Sequence, residues 1–341
     1  MISIMRLLRP RIRPRWFTRW NAELDAALDV LPESECCSRE LYRLVCTNQD
    51  PLKTFAVVEE SEEPIGVVCL RRRETLHDWV PVTHYSIPGM IFPTKEGSLG
   101  KVLSVLHRNV RLAWWRMGES SSDIVDVISR EVVPTYGIDL TGDYEKYWRE
   151  YSHLNTVKRD RGHCKDFEVR ISGEGMTEWV IRSWERKWRE TPTAPRADLQ
   201  DKILIAEHLE RQAKNFTFTL HDGGRPMGGH TFLVHEKSLV WQYTYRDPQY
   251  DKLGVGTYLM DVAIKWAIES GFAGIDLGGD HAEHKKRWGP AVSHKTSMHI
   301  CPKYLRVMRR GQEILGHVRA NGLRQSLKAA MSRISINAKS A

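Results

Sequence analysis

Residues Leu253–Trp288 read LGVGTYLMDVAIKWAIESGFAGIDLGGDHAEHKKRW. Gly254 and Gly256 stand before a helical pattern that predicts a helix over 257–270, and Gly271 is placed to stop it. A short apolar strand, 273–277, follows and runs into a knot of charged and imidazole side chains. A strand, a crossover helix and a returning strand imply parallel pairing. Glycines at a helix start let a ligand approach the backbone, and the first amides of the helix point outward without intrahelical partners. With the helix dipole they suit a phosphate or pyrophosphate. The same glycines would equally serve a plain turn.

Upstream lie three predicted strands, 215–220, 227–235 and 239–245, joined by Asp222-Gly223-Gly224 and Glu236-Lys237-Ser238. Connections that short join antiparallel neighbours. The C-terminal half is therefore an α/β (α+β) mixed sheet, an antiparallel meander feeding one parallel unit. A dinucleotide fold fits poorly. It would want a third glycine where Leu259 stands, and a tight strand-to-helix turn where residues 246–253 intervene.

Helices are predicted over 16–31, 99–109, 123–130, 144–154, 176–190 and 199–212, and strands over 53–59, 65–71, 76–85, 110–116 and 164–171. Thr191-Pro192-Thr193-Ala194-Pro195 breaks the helix before it. The first half repeats the order of the second in shorter form, which suggests a duplication. The division expected is a basic N-terminal segment (1–20), a first domain (21–138), a second domain (139–302) and a basic tail (303–341).

Among 341 residues, 41% are hydrophobic and 28% charged, enough to bury a sizeable core. No apolar run of about 18 residues predicts a membrane span, and Arg6 and Arg9 interrupt the N-terminus too early for a signal-peptide core. Six scattered cysteines, Cys36, Cys37, Cys46, Cys69, Cys164 and Cys301, suit free thiols in a reducing, cytoplasmic setting. Six arginines and no acid precede Trp20, and nine Lys/Arg against one acid follow from Lys303; the net +8 thus leaves the body near −6. Such tails suit an anionic membrane face or an acidic partner, or are simply solvated. The acidic body weighs against DNA and tRNA.

The cluster after the strand runs from Asp276 to Trp288. Ligands bind at the carboxyl ends of parallel strands, so its titratable groups are candidates for acid/base work; a charged surface loop is the plainer alternative. His281 and His284, with Asp280, make a weak metal pattern without a companion pair, and no metal is expected.

The run Asp247-Pro248-Gln249-Tyr250-Asp251-Lys252-Leu253-Gly254-Val255-Gly256-Thr257, then Gly271, Asp276, Lys285 and Trp288, resembles the GNAT superfamily of acyl-CoA N-acyltransferases. More closely it is similar to the Fem-like branch found in cell-envelope and cellulose-biosynthesis acetyltransferases. The basic helix of that branch is matched by 151–161, with Lys158, Arg159 and Arg161. The resemblance covers about 140–300 and implies a GNAT-like fold, in two tandem copies if the duplication holds.

It implies N-acyl transfer, with acetyl-CoA or another acyl-CoA as co-substrate, to an amine on a sugar or an envelope or polysaccharide precursor. Gly254, Val255, Gly256 and Thr257 would cradle the pyrophosphate. Lys285 would hold an anionic group or the developing charge, Asp276 would orient it or act as base, and His284 is the alternative base. Tyr243 and Trp288 would wall the acceptor pocket, and Arg159 and Arg161 would bind an anionic acceptor or form a solvated helix end. Two departures stand out. Asp251 sits where the pyrophosphate signature prefers Gln or Arg, and His284 stands where the branch usually has Tyr. The rival functions are aminoacyl-tRNA-dependent transfer and a non-catalytic scaffold.

Overall fold

The computed structural model describes residues 12–33, 38–48, 50–73, 78–82, 92–106, 110, 112–117, 127–150, 154–189, 199–279, 283–289 and 291–300. Residues 1–11, the basic tail 303–341, the 191–195 break, Asp280, His281, Cys36, Cys37 and Cys301 lie outside them, whereas the rest of the expected basic N-terminal segment, 12–20, is described and holds a strand.

The first half runs β1 (Ile12–Phe17), α1 (Ala22–Asp29), α2 (Arg39–Thr47), β2 (Lys53–Glu60), β3 (Glu63–Arg73), β4 (Asp78–Pro81), α3 (Leu99–Leu106), β5 (Leu112–Met117) and β6 (Val127–Asp139). Two helices, α4 (Tyr144–Glu150) and α5 (Leu154–Cys164), follow. The second half then runs β7 (Glu168–Ile171), α6 (Met176–Arg189), α7 (Leu199–Arg211), β8 (Asn215–Asp222), β9 (Arg225–His235), β10 (Ser238–Arg246), a 3-10 turn (Pro248–Leu253), α8 (Val255–Glu269), β11 (Gly274–Gly279), α9 (Glu283–Lys286) and β12 (Ala291–Ile300). Each half has a strand, two helices, three strands, a helix and two strands in that order; the second half adds the 3-10 turn before α8 and the one-turn α9 between its last two strands.

The twelve strands among the described residues form one sheet in the order β1-β2-β3-β4-β5-β12-β6-β11-β10-β9-β8-β7. Its parallel pairs are β4 with β5 and β10 with β11, at matching places in the two halves. The two centre strands are exchanged. β6 closes the first half in sequence but pairs with β11, and β12 closes the second but pairs with β5. β6 and β12 pair antiparallel with each other.

Helices α2 and α7, second in each half, pack together across the junction. There the buried Lys53 ammonium donates to Asp201 Oδ1 at 2.8 Å, Val45 O at 2.7 Å and Asn48 O at 3.3 Å, which uses all three of its hydrogens. Ile205, Leu209, Leu233 and Val240 of the second half belong to the core of the first.

Two expected helices differ. The 16–31 pattern is split between β1 and α1, because Arg13 and Arg15 pair with the buried Glu59 and hold residues 12–17 against β2. Asn21 then accepts from Glu23 N and Leu24 N and starts α1. Residues 127–130, expected in a helix, lie in β6, a strand with three Val and two Ile between two partners. The parallel return through α8 is as the sequence implies. Phe272 N bonds Ala267 O at 3.0 Å and Gly271 N bonds Ile268 O at 3.1 Å, closing the helix at Gly271 (φ +80°).

Candidate active site

The site begins where two parallel strands part. β10 and β11 pair through Ser238–Gly274, Leu239–Ile275 and Val240–Asp276 and then separate, although β10 continues to Arg246 and β11 to Gly279. Each strand carries an irregularity at the fork. β10 shifts register against β9 between Trp241 and Thr244, and β11 shifts against β6 between Asp276 and Gly278. Asp276 Oδ1 accepts the Gly278 N–H at 2.6 Å, and Gly278 has φ +75°.

The N-terminus of α8 is built beside this fork. Asp247 Oδ1 accepts from Gln249 N at 3.0 Å, and Pro248 follows it, so the 3-10 turn starts where β10 ends. Asp251 in that turn pairs with Arg246 Nε at 3.1 Å, which offsets the acid. Gly254 adopts φ +75°, ψ +30°. The helical ladder begins with Tyr258 N to Gly254 O at 3.0 Å, so the amides of Val255, Gly256 and Thr257 precede it. Gly228 brings β9 close, since a Cβ there would lie 2.8 Å from Val255 Cγ1.

A buried imidazole ties these parts together. His230 on β9 meets Gly256 O at 2.9 Å through Nε2, and Trp241 Nε1 donates to its Nδ1 at 3.2 Å. Nδ1 is thus the acceptor and Nε2 carries the proton. Burial pushes the His230 pKa down to about 4, opposed by the Gly256 carbonyl. The Trp241 ring in turn meets His284 edge-on, with centroids 6.2 Å apart.

The predicted residues divide. Asp276 and Lys285 converge on Gly278, where Lys285 Nζ would lie 3.6 Å from an added Cβ. His284 is exposed and stands over Trp241. Trp288 is half-buried against the core under α8, and its N–H bonds Lys285 O at 3.0 Å. Tyr243 lies away from this group. It is buried beneath α6 and α7 with Val180, Ile181, Ile203 and Ala206, its ring 5.1 Å from Trp184. The bulge explains this: Trp241 packs on the α8 side, and the shift sends Tyr243 to the opposite face.

The two arginines also part. Arg161 donates to Asp261 Oδ2 at 2.7 Å and Oδ1 at 3.0 Å and lies over the Tyr144 and Trp148 rings, joining α4, α5 and α8. Asp261 raises the pKa of Arg161, and burial together with Asp261 raises that of Tyr144. Arg159 points outward and is held by Asp160. Sequence reading missed His230, Trp241 and Asp160. A histidine inside an apolar strand was the available signal for the first; the others carried none.

Residues 149–286, spanning α5 to α9 and so the whole fork, match the acetyltransferase (GNAT) domain family. The chain carries a GNAT domain. That domain supports an acyltransferase. Solved structures resemble the chain at low identity. The C-terminal domain of a putative lysylphosphatidylglycerol synthetase from Agrobacterium fabrum is 13% identical, with TM-score 0.51 over 86% of this chain and 96% of that one. FemX is 10% identical, with TM-score 0.43 over 83% and 96%. A tandem GNAT protein from the clavulanic acid biosynthesis pathway is 10% identical, with TM-score 0.44 over 85% and 98%. No curated protein matches the sequence significantly. Among the described residues, no helix of the GNAT domain or the first half is long and apolar enough to cross a membrane.

Proposed function

We propose that the protein transfers an acyl group, most simply acetyl from acetyl-CoA, to an amine on a sugar or on a cell-envelope or polysaccharide precursor. The observation that carries this reading is the β10–β11 fork beside the N-terminus of α8, inside the GNAT domain. The fork is a slot open at the carboxyl ends of the strands, and the amides of Val255, Gly256 and Thr257 stand at its mouth for the diphosphate.

In the slot the neutral amine attacks the thioester carbonyl. The C–N bond forms, a tetrahedral oxyanion appears, and the C–S bond breaks to release the CoA thiolate. Orientation supplies much of the rate. Lys285, beside Gly278, faces the developing negative charge, and the exposed His284 takes the amine proton as general base. Asp276, with Oδ1 engaged by Gly278 N, fixes the β11 bend that presents Lys285. Trp288 lines the acceptor side, and the basic tails attach the enzyme to an anionic membrane face or an acidic partner from the cytoplasm.

A second reading, aminoacyl transfer from charged tRNA, would place an ester carbonyl in the same slot. The Asp160 carboxylate beside Gly254 favours it, because an acid there opposes a diphosphate. Turnover separates the two. Acetyl-CoA consumed with an amino sugar such as glucosamine, and not with aminoacyl-tRNA, supports the thioester reading; the reverse result replaces it.

A further inference from the structure

We infer that Arg159, held in place by the buried carboxylate of Asp160, is the cation that grips the diphosphate of the acyl-CoA from α5, next to a turn whose own Asp251 and Lys252 offset each other. The inference rests on the acyl-CoA reading.

The turn itself brings little positive charge to the cradle. Asp251 is acidic, Arg246 is committed to it at 3.1 Å, and Lys252 is the one base the turn itself adds, on a flexible side chain with no carboxylate to fix it among the described ion pairs. A cation fixed in place beside the cradle comes from another element, and α5 is the helix packed there. Cys164 Sγ meets Leu253 O at 3.4 Å, and the Asp160 carboxylate occupies the volume that a Cβ on Gly254 would fill. That contact, with φ +75°, is why a glycine is needed at 254. Asp160 is 1% exposed.

An acid buried against the positive end of α8 would by itself repel a diphosphate. Arg159 reverses this. Its Nε donates to Asp160 Oδ1 at 2.9 Å and its Nη2 reaches the same oxygen at 2.8 Å, while 62% of its side chain stays exposed. The pair spends one edge of the guanidinium on the anchor and leaves other N–H groups directed outward beside the cradle. An arginine fixed in this way loses little freedom when it takes a phosphate, and its planar fork suits two phosphate oxygens. Arg161, two residues on, is committed to Asp261 and Tyr144 and cannot do the same.

Asp160 is thus a positioning residue whose effect depends on Arg159, and that dependence is the test. Dissociation constants would be measured by calorimetry for acetyl-CoA, and for S-acetyl-pantetheine, which lacks the diphosphate. The proteins would be wild type, Arg159→Ala, Arg159→Lys, Asp160→Asn and the double variant Arg159→Ala/Asp160→Asn. Loss of a charge-assisted contact predicts that Arg159→Ala weakens acetyl-CoA roughly tenfold or more. Arg159→Lys should recover part of that loss, and S-acetyl-pantetheine should bind all five proteins alike. Asp160→Asn should weaken acetyl-CoA when Arg159 is present and tighten it when Arg159 is Ala, a reversal of sign that a merely structural role would not produce. Arg159 is exposed, so its variants should fold even where Asp160→Asn does not, and they suffice alone. Unchanged acetyl-CoA binding in Arg159→Ala, or tighter binding in Asp160→Asn alone, would overturn the inference and leave the acyl-CoA reading standing. Failure of wild type to bind acetyl-CoA would remove both.

Discussion

The two halves enter their crossover helices in the same way, yet one entrance is bare and the other furnished. Gly97 (φ +69°) stands one residue before Ser98, which opens α3, while Gly254 (φ +75°) itself opens α8, and the ladders start alike, with Val102 N to Ser98 O and Tyr258 N to Gly254 O both at 3.0 Å. Gly100 and Gly256 both occupy the second helical position. Around Gly97 and Gly100 an added Cβ would meet nothing within 4 Å. Gly254 instead carries Asp160 and, through it, Arg159, while Gly256 O is held by His230. The first-turn cation of α3, Lys101, is tied to Glu60 at 2.7 Å. The fold supplies a frame twice; in the proposed function the chemistry depends on what α5, His230 and Trp241 add to one copy.

The halves nevertheless share one fate, and the largest expected effect tests that. Lys53→Ala leaves Asp201 buried without its ammonium and should cost about 3–5 kcal/mol. Urea unfolding should move as one earlier transition; two separated transitions would show that the exchanged strands and the clasp do not couple the halves.

His230 distinguishes the second half by its pH response. Its folded pKa, about 4, lies below the unfolded value near 6.5, so the unfolded chain binds the extra proton. Stability should therefore be full above about pH 6.5 and fall as the pH drops toward 4, by about 3 kcal/mol at most. His230→Gln should flatten that slope between pH 6.5 and 4; an unchanged slope would place the titration elsewhere.

Paired alanines sharpen the contrast at smaller scale. Gly254→Ala must adopt a positive φ and also displace Asp160, a loss of about 2 kcal/mol or more, together with weaker acetyl-CoA binding. Gly97→Ala meets only the backbone term, about 1 kcal/mol, and should leave ligand binding unchanged. Equal losses, read from melting curves, would erase the distinction.

The parts legible in the sequence were those encoded locally. The period of 3.6 marked α6, α7 and α8, and short turns marked β8 to β10. β1, β6 and β12 were illegible as strands because their partners are remote: β1 is held by Glu59, and β6 and β12 by each other. At the candidate site, the glycines marked the N-terminus of α8 and the clustered charges the group around Gly278. Asp160 and His230 reach it only through packing, and a bulge, invisible to strand alternation, turned Tyr243 away from the side that Trp241 faces.

The central claim is that one helix entrance of two binds the cofactor. Its most direct measurement is the melting temperature of wild type, Gly256→Asp and Gly100→Asp titrated with acetyl-CoA. Each substitution places a carboxylate at the same helical position, where the dipole favours the fold but the charge opposes a diphosphate. Wild type and Gly100→Asp should both melt higher as ligand passes its dissociation constant, and Gly256→Asp should not respond. No rise in wild type up to millimolar ligand, or a rise abolished by Gly100→Asp and kept by Gly256→Asp, would contradict the account.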